Sequence, residues 1–288
     1  MSLSIENVYF IGAPGGPWVL IDAGTPGQAG HIRAVARKRF GDTPPSAILL
    51  THGHTDHCGS ARALAEAWSV PIYAHPLEKA YITGKSDYPP KDPTVGGAMA
   101  MVSRVFPMNV VDLTGLLKSL PPKGEVPGLP DWEWHFTPGH APGHVSYFRA
   151  SDRTLIAGDA FTTVNLDSLP ALVTKAPRIS LPPTPFTCDW NLARQSVASL
   201  AALNPQVVGC GHGQPLTGPT LAADLHTFSD TFTPPAHGRY VPTPARTDET
   251  GVIWIPPPAP DPFPLRAALA ALVLGGLLLW NKRRKTKS

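Results

Sequence analysis

Cysteine is scarce in this sequence, and so is charge. The three cysteines, Cys58, Cys188 and Cys210, stand far apart, so they predict no disulfide framework and fit a reducing compartment best. Charged residues make up only 16% of the chain. The formal net charge of +3 comes partly from a basic tail at residues 282–288, which leaves the rest of the chain near neutral. That balance excludes the broad basic surface of a nucleic-acid-binding protein.

The N-terminal residues have neither a basic region nor a long apolar run, so no signal peptide is expected. Near the other end, residues 267–280 form a run of 14 residues without a polar side chain. As a helix this run is about 21 Å long, short of the roughly 30 Å of a hydrocarbon core, but its flanking residues make a span marginally adequate. We therefore expect a cytoplasmic protein that is anchored to a membrane by a transmembrane helix at residues 265–281; a buried helix is the alternative.

Strand and helix patterns alternate through residues 1–233, which predicts one catalytic domain of the α/β or layered α+β class. Residues 84–130 interrupt the pattern, and we interpret them as an insertion that could cover a site. Prolines break residues 169–185, which predicts a loop. Residues 234–264 hold many of the 35 prolines and predict a linker or surface strap, because proline lacks a backbone donor and interrupts helices.

One short stretch, LLTHGHTDHCGS, carries the strongest signal of chemistry. Its ligand-type residues are His52, His54, Asp56 and His57, directly after an apolar run. Imidazole nitrogens and carboxylate oxygens are the usual ligands of zinc and similar ions. In extended backbone, His52 and His54 leave the chain on the same side, and Asp56 follows at the same spacing. One loop at the end of a strand thus offers ligands to two metal ions.

Three more ligand-type residues lie far apart in the sequence but in similar settings. His140 stands in TPGHAPGH, Asp159 in IAGDAF and His212 in GCGHGQ. Each is next to glycine, at or beyond the end of an apolar strand, and glycine permits the close backbone approach that a crowded metal site needs. These residues are therefore candidate ligands of the same site.

Together these motifs resemble the metallo-β-lactamase superfamily over about residues 8–213, and their details favour its glyoxalase II-like branch. The histidine cluster is the family signature H-x-H-x-D-H in full, and TPGHAPGH, GDAF and GHG are similar to its later motifs. LIDAGTPG, which contains Asp22, is similar to the early strand–turn motif. The resemblance implies an αββα sandwich with two divalent metal ions at one edge of its two sheets.

The resemblance also implies a role for each motif residue. Asp22 and His144 are expected to support the ligands rather than to bind metal. The metals are expected to be zinc, with iron or manganese as alternatives. Two ligand sets and one bridging residue follow from the family pattern: His52, His54 and His140; Asp56, His57 and His212; and the bridge Asp159.

Two metal ions that are bridged by one residue are close enough to share a water. The shared water then loses its proton near neutral pH and acts as a nucleophile. The predicted function is therefore a binuclear metal-dependent hydrolase of a small molecule. It would use a metal-bridging hydroxide, oriented by the catalytic residue Asp56, to cleave an ester-like bond such as that of a thioester or lactone. The alternatives are an iron-dependent oxidoreductase of the persulfide dioxygenase type and a β-lactamase. For substrate binding, the sequence does not choose among Tyr73, Tyr81, Tyr88 and Tyr240.

Overall fold

The computed structural model describes residues 1–3, 5–106, 111–261 and 263. The chain divides into two units, Met1–Pro257 and Pro258–Ser288. In the second unit, the backbone N–H of Phe263 donates a hydrogen bond to the Asp261 carboxylate at 3.0 Å.

Two five-stranded sheets form the centre of the first unit. The strands of the first sheet are β1 (Tyr9–Gly12), β2 (Trp18–Ile21), β3 (Ile48–Leu49), β4 (Ile72–Ala74) and β5 (Leu117–Ser119). They lie side by side in chain order. β1 is antiparallel to β2, and the other neighbours are parallel.

The second sheet has the order β12-β11-β8-β7-β6, in which only β8 and β11 are parallel. Two short antiparallel pairs, β9 with β10 and β13 with β14, complete the described strands. Their bounds are β6 (Glu133–Phe136), β7 (Val145–Arg149), β8 (Thr154–Gly158), β9 (Thr162–Val164), β10 (Pro177–Ser180), β11 (Val207–Cys210), β12 (Leu216–Thr217), β13 (Arg246–Asp248) and β14 (Gly251–Trp254).

The α-helices lie between the strands in sequence, and short 3-10 turns occur at 76–78, 93–95, 122–124 and 184–186. The helices are α1 (Ala29–Phe40), α2 (Thr55–Cys58), α3 (Ala61–Trp68), α4 (Lys79–Ile82), α5 (Gly97–Ser103), α6 (Leu169–Thr174), α7 (Trp190–Ala202) and α8 (Leu221–Asp230).

Strand β2 shows why both faces of the first sheet are covered. All four of its residues are buried, and successive side chains of a strand point to opposite faces. Trp18 and Leu20 pack in the cluster that contains Ile32 of α1. Val19 and Ile21 belong instead to the cluster between the two sheets. An apolar run without polar alternation is what a strand buried on both faces requires.

The second sheet repeats this arrangement. Ile156 and Tyr147 point into the cluster between the sheets, and the Tyr147 hydroxyl donates to the Leu50 carbonyl across it at 2.9 Å. Leu155 packs on the other side with Val197 of α7. The layers therefore follow the order helix, sheet, sheet, helix, and the predicted αββα sandwich is confirmed.

The segment 169–185, predicted as a loop, instead contains α6 and β10. Its first proline, Pro170, lies in the first turn of α6, where its missing N–H would have no helical partner, so it does not break the helix. The Ser168 hydroxyl accepts the Ala171 N–H at 3.4 Å and caps the helix. Proline was therefore the wrong reason to predict a loop here.

The proline-rich segment 234–264 includes the hairpin of β13 and β14. The Tyr240 hydroxyl donates to the Pro90 carbonyl at 2.7 Å, and the Val252 N–H donates to Ser86 Oγ at 3.1 Å. This part of the segment therefore packs against the 84–130 insertion, as a surface strap does.

The prediction of an enzyme anchored to a membrane is corrected by the structure. Across the described ranges, no helix is both long and apolar enough to cross a membrane. The longest helix among them, α7, has 13 residues, about 20 Å, against roughly 30 Å of hydrocarbon. Residues 265–281, on which the anchor prediction depended, lie outside the described residues. The membrane anchor and the localisation that depended on it are therefore not retained.

Candidate metal centre

The seven predicted ligands come from loops at one edge of the two sheets. His52 and His54 follow β3, and Asp56 and His57 lie in the short helix α2. The second sheet supplies the other three from the loops after β6, β8 and β11, which are His140, Asp159 and His212. The structure brings all seven together, because three groups of their ligand atoms each lie within 4.8 Å of one another.

The first ligand set is centred on His54. Its Nδ1 lies 3.0 Å from His52 Nε2 and 3.0 Å from His140 Nε2. Three imidazole nitrogens that face one point cannot all be satisfied by hydrogen bonds to each other, because a neutral ring has only one N–H. A shared cation satisfies all three.

Asp159 lies between the two ligand sets. Its Oδ2 is 3.5 Å from His140 Nε2, 3.4 Å from His57 Nε2 and 3.2 Å from His212 Nε2. In the second set, Asp56 Oδ2 is 3.3 Å from His212 Nε2 and 3.6 Å from His57 Nε2. Asp159 thus occupies the position that a bridging carboxylate needs.

Four of the histidines are held by a hydrogen bond to the ring nitrogen that faces away from the cluster. The partner of His57 Nδ1 is the Asp22 carboxylate at 2.8 Å. Fixing the second nitrogen selects the tautomer that presents Nε2 to a metal. The other contacts are His212 Nδ1 with the Ile5 carbonyl at 2.8 Å, His52 Nδ1 with Thr51 Oγ1 at 3.1 Å and His140 Nδ1 with Thr187 Oγ1 at 3.4 Å.

Asp22 supports the centre from the end of β2. Its backbone has a φ of 59°, a left-handed conformation that is unusual for a residue other than glycine. Its carboxylate also accepts the backbone N–H and the hydroxyl of Thr51 at 2.8 and 2.9 Å. The structure therefore places Asp22 behind His57, the position expected of a residue that orients a ligand.

His144 lies behind Asp159. Its Nε2 accepts the Asp159 backbone N–H at 2.9 Å, and its Nδ1 contacts Thr137 Oγ1 at 2.9 Å. Gly158, at φ +56°, must be glycine, because an added Cβ would lie 2.6 Å from His144 Nε2. The glycine motifs therefore reflect how closely backbone approaches the ligands.

Burial keeps the first ligand set neutral. It lowers the pKa of His54 to about 4 and holds the pKa values of His52 and His140 well below their ordinary value. Burial disfavours the charged imidazolium, which cannot be hydrated there. These three rings are therefore ready to ligate a cation at neutral pH.

The second set has the opposite electrostatics. Burial acts to lower the pKa values of His57 and His212, but the carboxylates outweigh it, Asp159 first, and raise both pKa values well above their ordinary value. Burial acts in turn to raise the pKa values of Asp56 and Asp159, and the His57 and His212 rings outweigh that effect and lower them. A cation there would replace these imidazolium protons.

The donor set fits two divalent metal ions. Within the described residues, His57 Nε2 and Asp159 Oδ1 are buried side-chain atoms without a hydrogen-bond partner. Leaving such atoms unsatisfied costs about 1–3 kcal/mol each, and both belong to residues that face the cluster. Metal ligation provides the partner that the protein itself does not.

Glu78 is a carboxylate that no motif singles out, and it lies behind the two histidine loops. It is fully buried and accepts the Gly53 N–H at 2.8 Å and the Gly143 N–H at 2.6 Å. The Tyr88 hydroxyl also donates to it. The Tyr88 ring lies 4.6 Å from the His54 ring, which distinguishes it from the other tyrosines. Glu78 stands at the start of a helical stretch, where sequence alone predicts an exposed residue.

An apolar cavity of about 240 Å³ leads to the cluster. Five of the seven candidate ligands line it. Apart from Thr55, its remaining walls are apolar. The lining residues are Ile5, His54, Thr55, Asp56, Met99, Val102, Phe106, His140, Asp159, Leu172, Pro183, Phe186 and His212.

Known proteins share this architecture. Residues 2–212 match the model of the metallo-beta-lactamase superfamily. The probable metallo-hydrolase YflN of Bacillus subtilis (strain 168) is 43% identical over 229 residues, which cover 78% of this chain and 87% of that protein. The crystal structure of TTHA1623 in a di-iron-bound form superposes with a TM-score of 0.53 at 24% identity, over 81% of this chain and 98% of that one. For the B3 metallo-beta-lactamase BLEG-1 the TM-score is 0.53 at 24% identity, over 78% and 91% of the two chains.

Fold and site together define a protein of the αββα class that can bind divalent metal ions at the edge of its two sheets. The solved structures show the fold alone, at their low identity. The family match covers most of the first unit, and YflN is similar over most of its own length. The chain therefore belongs to the metallo-β-lactamase superfamily, as its motifs implied.

Proposed function

We propose that this protein is a metal-dependent hydrolase that cleaves an ester-like bond, such as that of a thioester or lactone, in a small molecule. One observation carries the proposal: a buried cluster of histidines and aspartates that could hold metal ions lines an apolar cavity. The name of the relative YflN, a probable metallo-hydrolase, supports the reaction class.

When bound, two divalent ions supply a nucleophile from water at neutral pH and polarise the substrate carbonyl. The protein's own contribution is positioning. Asp56 has a side chain that is 17% exposed, in contrast to the other ligands, and it lines the cavity. Its lowered pKa keeps it ionised, so it accepts a hydrogen bond from the attacking water and orients it toward the substrate.

The apolar walls have a second effect. They offer few polar groups that would hold water beside the cluster, and electrostatic interactions are stronger where there is less water. Zinc is our first choice of metal, because imidazole and carboxylate ligands suit it, and iron and manganese are the alternatives.

The test is an initial-rate panel on metal-loaded protein. It contains one thioester, one acyl-homoserine lactone, one cephalosporin and one phosphodiester, with His54→Ala as the control variant. Hydrolysis of the thioester or the lactone, absent in the variant, supports the proposal. Turnover of the cephalosporin alone would favour a β-lactamase. Inactivity on all four, together with iron content and oxygen uptake with a persulfide, would replace the proposal by an oxidoreductase.

A further inference from the structure

The two short helices beside the metal centre have an unusual surface. Eleven large apolar side chains are exposed among the described residues, and five of them lie on or next to α5 and α6. Exposed apolar side chains that gather beside a site indicate a binding surface, whereas those scattered singly over a protein do not. The five are Met101, Val102, Val105, Leu169 and Val173, with Val105 and Val173 each 84% exposed.

The same helices form walls of the cavity at the metal centre. Met99 and Val102 of α5 and Leu172 of α6 line it, together with Phe106 and Phe186. Val102 is also 43% exposed, so the apolar wall continues outward from the cavity to the surface.

The helices are fixed relative to one another by Asp167. The Ala98 N–H at the start of α5 donates to the Asp167 carbonyl at 2.9 Å, and Thr184 Oγ1 donates to the Asp167 carboxylate at 2.9 Å. Gly97 packs so closely that an added Cβ would lie 2.6 Å from Asp167 Cβ. The apolar wall is therefore built into the fold.

A second cavity, of about 320 Å³, also reaches His54 and Thr55. Its lining differs in kind, because Ser86, Asp87 and Lys91 contribute polar side chains. Two cavities thus adjoin the first ligand set, and the second is the more polar of the two.

We infer that the substrate is amphiphilic, with an apolar acyl chain that lies in the first cavity and extends along α5 and α6, and a polar leaving group in the second. The inference rests on the proposed hydrolase function and specifies its substrate class. Water adds to the acyl carbon and the C–O or C–S bond breaks. The products are a carboxylic acid with an aliphatic chain and an alcohol or thiol, which takes up the remaining proton.

The binding test does not require turnover. The probe is 2-decanone, an uncharged chain that cannot be hydrolysed, and its displacement of an apolar fluorescent dye is measured on metal-loaded protein. Val102→Glu places a charge in the wall at an exposed position, where folding is not at risk. We expect at least a tenfold weaker displacement constant in this variant. Ile253→Glu, an exposed apolar residue of β14 that is 60% exposed, is the matched control and should equal the wild type.

The kinetic test uses acetyl, hexanoyl and decanoyl thioesters of one thiol. Each methylene that enters an apolar site contributes about a fourfold increase in kcat/KM, so the rate should rise steeply with chain length. Val102→Glu should abolish this dependence, whereas Asp87→Asn in the polar cavity should leave it unchanged.

The outcomes separate the two proposals. Equal rates on acetyl and decanoyl thioesters, with no 2-decanone binding, would overturn the acyl site and leave the hydrolase proposal standing. Tight 2-decanone binding that Val102→Glu weakens, without hydrolysis of any thioester or lactone, would support the acyl site and reject the hydrolase. Loss of chain-length dependence in Asp87→Asn rather than Val102→Glu would show that the chain lies in the other cavity, and would overturn the inference.

Discussion

At the scale of single residues, His54 lies where the first ligand set meets both cavities. Its Nδ1 faces two other imidazoles, its ring lies 4.6 Å from the Tyr88 ring and 6.0 Å from the Phe186 ring, and the residue lines both cavities. The same side chain is thus a candidate metal ligand and part of the walls of both cavities.

Replacing His54 with alanine should remove at least one metal equivalent per chain, because the first set then retains only two of its three nitrogens. Metal content per chain, measured by plasma mass spectrometry after dialysis, is the direct readout. His31→Ala, at an exposed position of α1, is the matched control. Full metal content in His54→Ala would show that the first set is not a metal site.

Metal binding at pH 7 should release protons. Asp159 and the other carboxylates raise the pKa values of His57 and His212, so both rings are protonated in the metal-free protein at pH 7, and ligation requires the neutral form. Affinity should therefore rise with pH, by about tenfold per unit for each proton displaced, and fall as the solution is acidified.

Isothermal titration calorimetry checks this in two buffers with different ionisation enthalpies. A binding enthalpy that depends on the buffer shows proton release. An enthalpy independent of the buffer would mean that His57 and His212 are already neutral before metal arrives.

At the scale of secondary-structure elements, Glu78 connects the loop after β3 with the loop before β7. Glu78→Gln replaces one acceptor oxygen by an NH₂ group that faces backbone donors, so we expect a loss of about 1–3 kcal/mol in the free energy of unfolding. Because Gly53 lies between two ligands, the visible spectrum of the Co²⁺-substituted protein should also change. Denaturant unfolding and absorption spectroscopy measure the two effects.

Glu66→Gln is the control for this substitution. Glu66 is exposed and pairs with Arg62 at 3.1 Å, so its loss should change stability by less than about 1 kcal/mol. A Glu78→Gln protein with wild-type stability and an unchanged Co²⁺ spectrum would show that the buried carboxylate does not hold the loops.

Elements with strong local signals could be predicted from the sequence. Buried strands such as β2 and β8 are continuous apolar runs bounded by turn residues, so their alternation with helices predicts the α/β or layered α+β class. The αββα sandwich and the cluster at its edge were implied by the resemblance of the motifs to a known family. The order of the motifs along the chain was enough to group residues as distant as His54 and His212.

Features that depend on tertiary contacts could not be predicted. Helix α6 has Pro170 in its first turn, and a proline predicts a helix break unless its position in that turn is known. Glu78 is buried only because three separate segments supply donors to it, and no local pattern encodes that. The cavity walls depend in the same way on how α5 packs beside Asp167.

At the scale of the whole molecule, the candidate metal centre draws its residues from both halves of the sandwich. His52, His54 and His57 belong to the first sheet's loops, and His140 and His212 to those of the second. A bound ion is therefore a contact between sheets, in addition to the apolar cluster that contains Tyr147.

Removing the metal should lower the thermal midpoint. A ligand that binds only the folded state, at a concentration 1,000 times its Kd, adds about 4 kcal/mol to the free energy of unfolding. For a chain of this size, that raises the thermal midpoint by on the order of 10 °C. Differential scanning calorimetry with and without EDTA measures the shift. His54→Ala should show a smaller EDTA effect, and an unchanged midpoint in the wild type would contradict a metal that links the sheets.

The candidate ligands and the cavity walls of α5 and α6 belong to different elements of the fold, and this separation affects how the protein can diversify. The ligands follow strands β3, β6, β8 and β11 of the two central sheets, whereas α5 and α6 are short and partly exposed and share no residue with the ligand set. Under the proposed function, substitutions in these two helices would change which substrates bind and would leave the ligand residues unchanged. A mutant library confined to residues 97–106 and 169–174 is the economical starting point for directed evolution of new substrate preferences.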